Sequence, residues 1–138
     1  MRISLTLALL VLSASGCAEA ERIARGAMDG AAGDPGTVET TAASWRTTAT
    51  EYRGHSGRYG FDCPPNDGSD HSVWGSNPYT DDSSVCWAGV HAGVITPERG
   101  GRVTIEPRPG QNRYVGSSRN GRQTRDYGSW AGSFAVVR

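Results

Sequence analysis

The chain has 138 residues, of which 36% are hydrophobic and 19 are glycine, and its formal net charge is zero at pH 7. This length is enough for one domain with a modest core and many turns. An exported chain without net positive charge is a poor candidate for binding nucleic acid.

The charge is unevenly spread along the chain. The segment Glu51–Thr96 has two arginines and six acidic residues, a net −4, whereas Pro97–Arg138 has eight arginines and three acidic residues, a net +5. Two interpretations stay open. The two segments neutralise each other in the fold, or the basic one forms a face for an anionic ligand.

Residues 1–16 have the layout of a secretory signal peptide, with a positive start, an apolar run Ile3–Leu12 and small residues before Cys17. The run is too short for a permanent transmembrane helix. A cysteine at this place resembles the lipobox of bacterial lipoproteins, and the resemblance implies lipidation of Cys17. The alternative is an ordinary signal peptide cut near Ala18 or Ala20. Either reading predicts export into a disulfide-permissive compartment.

Residues 17–44 are predicted to be a lipidated cysteine followed by a flexible tether. The stretch "DGAAGDPG" has too little apolar surface to support a packed structure. All four tryptophans and all five tyrosines lie at or beyond Trp45. The domain is therefore expected to span residues 45–138.

The stretch "RYGFDC" predicts a short strand ending at Cys63. Residues 79–95, "YTDDSSVCWAGVHAGVI", predict one helix with Asp82 or Ser83 as the N-cap and a stop at Gly93. The small side chains on one helical stripe allow a sheet to approach closely. They are Val85, Ala88, Gly89 and Ala92.

The next strand follows in "GGRVTIEPRPG", where Val103 and Ile105 share one face and Pro107 and Pro109 are expected to end it. "RNGR" contains Asn-Gly, a strong two-residue turn signal, and "SWAGSFAVVR" predicts a last strand. One helix among five or six short strands predicts the α+β class.

Catalytic and metal-binding patterns are weak. Ser84 and His91 are two helical turns apart, about 10 Å, which is too far for a shared hydrogen bond. His91 is therefore expected to be a buried or helix-end histidine bonded to backbone. The spacing of His55, His71 and His91 is not that of a metal site. We expect no catalytic residue, no metal and no cofactor.

Several arginines and aromatic residues occur near predicted loops in the last third of the chain. Arginine binds phosphate and carboxylate through paired hydrogen bonds, and arginine with Tyr114, Tyr127 and Trp130 suits a sugar-phosphate or polysaccharide surface. The alternative is a solvated face with core aromatics. The candidate ligand-binding residues are Arg108, Arg113, Arg119, Arg122, Arg125 and Tyr114.

The stretch "SVWGSNPYTDDSSVCWAGVHAGVI", followed by "RPG", "RNG" and "YGSW", resembles the LCCL domain family from about Tyr52 to Val137. The resemblance implies an α+β fold in which short antiparallel strands wrap one central helix. Cys63 and Cys86 match two cysteines of the family, which implies a bridge between them. The alternative is two buried thiols.

With the lipid anchor, the expected function is a non-catalytic binding module displayed from the bacterial cell envelope. LCCL domains of host-defence proteins have been linked to lipopolysaccharide, so the resemblance implies a glycan ligand. The expected partners are the membrane, through the lipid anchor, and an envelope glycolipid or other anionic polysaccharide. A soluble periplasmic or secreted protein is the alternative location. A protein-interaction or structural module of the envelope is the alternative function, and an enzyme of unknown reaction is a weaker one.

Overall fold

Segments that contain aromatic or β-branched residues form most of the strands, as their composition predicts. The computed structural model describes residues 38–138, which form one compact unit. Within these residues the strands are β1 (Thr40–Ala42), β2 (Tyr59–Cys63), β3 (Tyr79–Thr80), β4 (Gly101–Gln111), β5 (Ser118–Arg119), β6 (Arg122–Gln123) and β7 (Trp130–Val137). A single-turn 3₁₀ helix spans Thr50–Tyr52, and helix α1 spans Val85–His91. The signal peptide, Cys17 and most of the predicted tether lie outside the described residues.

The main sheet has the strand order β1-β2-β4-β7-β3. Its pairs are antiparallel except for β1 and β2, which run parallel with Thr40 opposite Gly60. Strand β1 lies upstream of Trp45, so the sheet begins earlier in the chain than the predicted domain boundary. The second sheet is the β5–β6 hairpin.

The described structure is mostly β-sheet with one short helix, which is compatible with the predicted α+β class. Helix α1 contacts β2 and β4 of the main sheet and β6 of the hairpin. The finer expectation, that strands wrap a central helix, stays a prediction. No helix within residues 38–138 combines the length and the apolar character needed to span a membrane.

The helix packs closely on the sheet where Gly89, a member of its stripe of small residues, faces Val103 of β4. A Cβ atom at Gly89 would overlap the Val103 side chain. The prediction that small helix residues permit this approach is therefore confirmed. Val103 and Ile105 are both buried, as the predicted alternation along β4 requires.

The start of α1 differs from the prediction. Ser84 is the N-cap rather than Asp82 or Ser83, and its hydroxyl accepts a hydrogen bond from Trp87 N at 3.1 Å. The Ser83 hydroxyl instead contacts Thr80 Oγ1 at 2.8 Å. Asp82, Ser83 and Ser84 are all of cap-forming residue types, so local propensity does not separate them, and contacts outside the helix decide which one is the cap.

The end of α1 is as predicted at Gly93. Gly93 N donates to Val90 O at 2.9 Å, and Val94 N donates to Gly89 O at 3.0 Å. These two bonds form a Schellman motif with glycine in its left-handed position.

The two prolines do not end β4, and that prediction is wrong. The strand continues through Pro107 and Pro109 to Gln111, paired with β7 throughout. Strand β2 starts at Tyr59, opposite Ile105, so one edge of β4 has no β2 partner beyond that point. Proline is tolerated at such an edge because no ladder donor is needed there.

Cys63 and Cys86 form a disulfide with a Cα–Cα distance of 5.8 Å. It joins the end of β2 to the first turn of α1 and so links the sheet to the helix. The implied bridge is confirmed, and the alternative of two free thiols is wrong. The core around it contains Trp45, Phe61, Val73, Tyr79, Val85, Ala88, Val90, Ile95, Val103, Ile105, Phe134 and Val136.

Candidate ligand-binding surface

Residues 113–127 form an arm, here called the arginine arm, in which the β5–β6 hairpin is the tip. Asn120 and Gly121 form the predicted two-residue turn, with φ angles of 52° and 76°. Below the tip, Tyr114 and Tyr127 exchange backbone hydrogen bonds of 2.8 and 3.0 Å. The predicted Asn-Gly turn is confirmed, and it presents Arg119 opposite Arg122.

Polar contacts with helix α1 hold the arm in place. His91 Nε2 lies 3.1 Å from Ser117 Oγ and 3.3 Å from Ser117 O. Asn120 Nδ2 donates to His91 O at 2.8 Å. The arm is therefore attached to the end of the helix that also packs on the sheet.

His91 is fully buried, and its other nitrogen, Nδ1, lies 2.8 Å from the Tyr79 hydroxyl. The pKa of His91 is lowered, mainly because the ring is buried. The hydrogen bond to Ser117 raises that pKa, and the positive charges of Arg119 and Arg122 lower it. The Ser84 hydroxyl donates to Trp45 O at 2.8 Å. Ser84 and His91 thus have separate partners, and His91 joins the core to the arm.

Arg122 is a packing residue rather than an exposed cation. Its guanidinium lies 4.3 Å from the centroid of the Trp87 ring, donates to Asp70 Oδ1 at 2.7 Å and donates to His71 O at 2.7 Å. Its side chain is 16% exposed. The hydrogen bond from Arg122 is the main cause that holds the pKa of Asp70 below its usual value.

The other predicted arginines are exposed. Within the described part of the chain, no carboxylate lies within 4 Å of Arg113, Arg119 or Arg125. Arg108 is on β4, outside the arm, and its Nη2 lies 3.4 Å from Glu106 Oε1. The structure therefore brings Arg113, Arg119 and Arg125 into the arm and leaves Arg108 on the sheet.

Tyr114 contributes to packing and leaves little surface for a ligand, because it is only 2% exposed. Its hydroxyl accepts a hydrogen bond from Gln111 N at 3.0 Å and lies 3.4 Å from the Trp130 and Gly132 carbonyl oxygens. A tyrosine in a short loop segment looks exposed in sequence. Its backbone pairing with Tyr127 turns the ring inward.

The sequence interpretation missed an ion pair beside β7 between the buried Asp81 and the partly exposed Arg53. Asp81 accepts hydrogen bonds from Arg53 Nε at 2.7 Å, Arg53 Nη2 at 2.8 Å and Trp130 Nε1 at 2.8 Å. Burial alone would raise the pKa of Asp81, but the hydrogen bonds from Arg53 and Trp130 outweigh it and lower that pKa. A Cβ atom at Gly132 would overlap Asp81 Oδ2, so glycine is required there.

Three aromatic rings continue from this ion pair along the surface. The ring centroids of Trp130 and Tyr127 are 5.8 Å apart, and those of Tyr127 and Trp74 are 6.1 Å apart. Tyr127 is 42% exposed, and the two tryptophans are half-buried. We call these three residues the aromatic row. Tyr127 belongs to the arginine arm and Trp74 forms a backbone bridge with Arg125, so the row overlaps the arm.

No three His, Cys, Asp or Glu side chains within residues 38–138 are grouped closely enough to hold a metal ion. The described surface offers guanidinium groups and aromatic faces. These are groups that bind anions and flat apolar faces without reacting with them.

Residues 38–134 match the family model of the LCCL domain. The chain is 44% identical over 71 residues to the Homo sapiens protein named cysteine-rich secretory protein LCCL domain-containing 2, covering 49% of this chain and 14% of that protein. It is 39% identical over 75 residues to Bos taurus vitrin, covering 54% of this chain and 11% of that protein. It is 39% identical over 67 residues to Homo sapiens cochlin, covering 49% of this chain and 12% of that protein.

The chain thus matches only about a tenth to a seventh of the length of these relatives. No catalytic family is indicated by any of these matches. The family model, by contrast, covers most of the chain and nearly all of the described fold. The chain belongs to the LCCL domain family.

Proposed function

We propose that the protein is an exported, non-catalytic binding module that recognises an anionic glycan, such as lipopolysaccharide, through the arginine arm. One observation carries the proposal. Arg113, Arg119 and Arg125 are exposed in a single arm, with no carboxylate within 4 Å in residues 38–138. Guanidinium groups without an internal partner are available to the phosphates and carboxylates of such a glycan.

Export is supported by the Cys63–Cys86 bridge, since structural disulfides persist in oxidising compartments. A relative whose name describes it as secretory points the same way. We further propose that Cys17 carries a lipid and anchors the domain in a cell envelope. Intact mass of the exported protein tests this step, because lipidation at Cys17 adds the mass of the acyl groups to a chain that begins there.

The glycan proposal is tested by retention of the full chain on immobilised lipopolysaccharide at increasing salt. We expect retention at low salt that weakens as salt screens the arginines. The double substitution Arg119→Gln with Arg125→Gln should lower retention, whereas Arg46→Gln should not, because Arg46 is exposed but lies outside the arm. Absence of retention at low salt, or equal retention of all variants, contradicts the proposal.

A protein partner is the second candidate function. Val115 and Tyr127 are the large hydrophobic residues most exposed in the described chain, and both belong to the arm. Exposed aromatic side chains are enriched in protein interfaces. Capture of an envelope protein that is lost in Val115→Ser, with lipopolysaccharide retention absent, would favour this candidate.

A further inference from the structure

We propose that the cleft beside β4 and the adjoining end of the aromatic row bind one acidic sugar residue. The acid group would lie in the cleft and the sugar ring on Trp130 and Tyr127. This inference rests on the proposed glycan-binding function and places a subsite beside the arginine arm, with which it shares Tyr127. The acid is a carboxylate or a phosphate, since guanidinium groups bind both.

The cleft is lined by two arginines and one histidine, Arg53, Arg108 and His55. A cavity of about 350 Å³ is lined by Arg53, Gly54 and His55 on one side, and by Pro107, Arg108, Pro109 and Ala131 on the other. The turn after the 3₁₀ helix supplies the first group, and the part of β4 beyond Ile105 and the start of β7 supply the second. Pro107 and Pro109, which lie on the β4 edge that has no partner strand, therefore also line the cleft.

Arg53 and Arg108 line the cleft, and the nearby carboxylates do not use all of their N–H donors. Glu106 is shared, because Arg108 Nη2 lies 3.4 Å from its Oε1 and Arg58 Nε lies 3.6 Å from its Oε2. One carboxylate thus serves two guanidinium groups. Arg53 is balanced by Asp81 through Nε and Nη2, and within residues 38–138 its Nη1 has no hydrogen-bond partner. An incoming anion supplies an acceptor for Nη1.

The aromatic row begins where the cleft ends. Ala131 lines both the cleft and a neighbouring cavity that includes Trp130. The Arg53 guanidinium carbon lies 5.7 Å from the Trp130 ring centroid. The C–H groups on one face of a sugar ring are weakly positive and contact the negative face of an aromatic ring. An acid group at Arg53 and Arg108 would bring its sugar ring to Trp130, and Tyr127, whose ring is at 83° to that of Trp130, would contact the sugar from the side.

The indole resonance of Trp130 in ¹H–¹⁵N spectra of the full chain reports on this subsite. Its Nε1 donates to Asp81, the partner of Arg53, so an acid at Arg53 should shift that signal. The indole of Trp45, which is buried and bonded to Pro64 O, is the internal control. The probes are trigalacturonic acid for the carboxylate, glucose 1-phosphate for the phosphate, and maltotriose as the neutral sugar.

We expect one or both acidic probes to shift the Trp130 indole signal and maltotriose to leave it in place. Arg108→Gln and Tyr127→Ala should each weaken the titration about fivefold, the range expected for an exposed contact. Arg46→Gln is the matched control, an exposed arginine that lies outside both the cleft and the arginine arm. The two substituted side chains are exposed, so both variants should keep the fold.

The proposal is overturned if neither acid shifts the Trp130 signal, if maltotriose shifts it equally, or if Arg108→Gln and Tyr127→Ala leave the titration unchanged. Retention on lipopolysaccharide through Arg119 and Arg125 is a separate measurement. Retention without the Trp130 shift overturns only the subsite. The shift without retention overturns only lipopolysaccharide recognition through the arm.

Discussion

Replacing Asp81 by asparagine should destabilise the domain strongly at neutral pH. Two carboxylate oxygens of Asp81 accept three hydrogen bonds, from Arg53 Nε, Arg53 Nη2 and Trp130 Nε1. An asparagine side chain has one carbonyl oxygen and one NH₂ group. Whichever way the amide is turned, its NH₂ group faces at least one N–H donor of Arg53, and the negative charge is lost.

The size of the loss follows from burial. Breaking a buried ion pair costs about 3–5 kcal/mol when the remaining charge stays buried and unpaired. Here the remaining charge belongs to Arg53, whose side chain is 42% exposed and can be hydrated. We therefore expect Asp81→Asn to lower the free energy of unfolding by about 2–4 kcal/mol, since one or two charge-assisted hydrogen bonds are lost.

Urea unfolding of the wild-type and variant chains at pH 7 and at about pH 2.5 measures this effect. The hydrogen bonds hold the pKa of Asp81 below its unfolded value of 3.8, so its stabilisation is present above that value and is lost as pH falls through the folded-state pKa. The difference between wild type and Asp81→Asn should therefore shrink in acid. Asp62→Asn is the control, because its exposed pair with Arg102 should contribute less than about 1 kcal/mol.

A loss below about 1 kcal/mol at pH 7 would show that water or a local shift replaces the network, and the reasoning from burial would fail. A difference that stays constant from pH 7 to pH 2.5 would also contradict it. In that case packing around Gly132, and not the charge on Asp81, would account for the loss.

Three further predictions concern the core. Cys86→Ser should lower the free energy of unfolding by about 3 kcal/mol, which is the chain-entropy value for a loop of this length. Mild reduction of the wild-type disulfide should likewise lower the urea midpoint. Gly89→Ala should lower the free energy of unfolding by about 1–3 kcal/mol in the same assay, because the added Cβ overlaps Val103. The better helix propensity of alanine does not offset this overlap. Gly128→Ala is the control and should be neutral, because its Cβ would meet no atom within 4 Å. The pKa of His91 is lowered from 6.5 on folding, so the unfolded chain takes up its proton first as pH falls. Stability should therefore decrease from pH 7 to pH 5, and His91→Gln should flatten that dependence.

Local signals in the sequence were sufficient for several parts of the fold. The Asn120–Gly121 turn and the end of α1 at Gly93 each depend on a residue that accepts a positive φ, and both positions are as predicted. Val103 and Ile105 alternate with polar residues, and this pattern places one face of β4 in the core. In each case the structure is decided by neighbours within a few residues.

The features that sequence reasoning missed depend on contacts between distant residues. Arg53 and Asp81 are 28 positions apart, and nothing in either local stretch indicates the pair. The prolines in β4 are tolerated because β2 begins opposite Ile105, which only the sheet register reveals. Tyr114 is inward-facing for the same kind of reason, since its pairing with Tyr127 sets the direction of its ring.

The Arg53–Asp81 pair offers a direct test of how the cleft binds an acid. If charge alone decided binding, Asp81→Asn would strengthen it, because the substitution removes a negative charge beside the anion. If the pair instead acts by fixing Arg53 so that Nη1 points at the ligand, the same substitution frees the guanidinium and weakens binding. We expect weaker binding in the variant. In the wild type both Nε and Nη2 of Arg53 are bonded to Asp81, so the guanidinium is already fixed and loses little conformational freedom when Nη1 binds the acid. Titration of Asp81→Asn with trigalacturonic acid and glucose 1-phosphate, followed through arm and cleft amide signals at pH 7, decides between the two by the sign of the change in affinity.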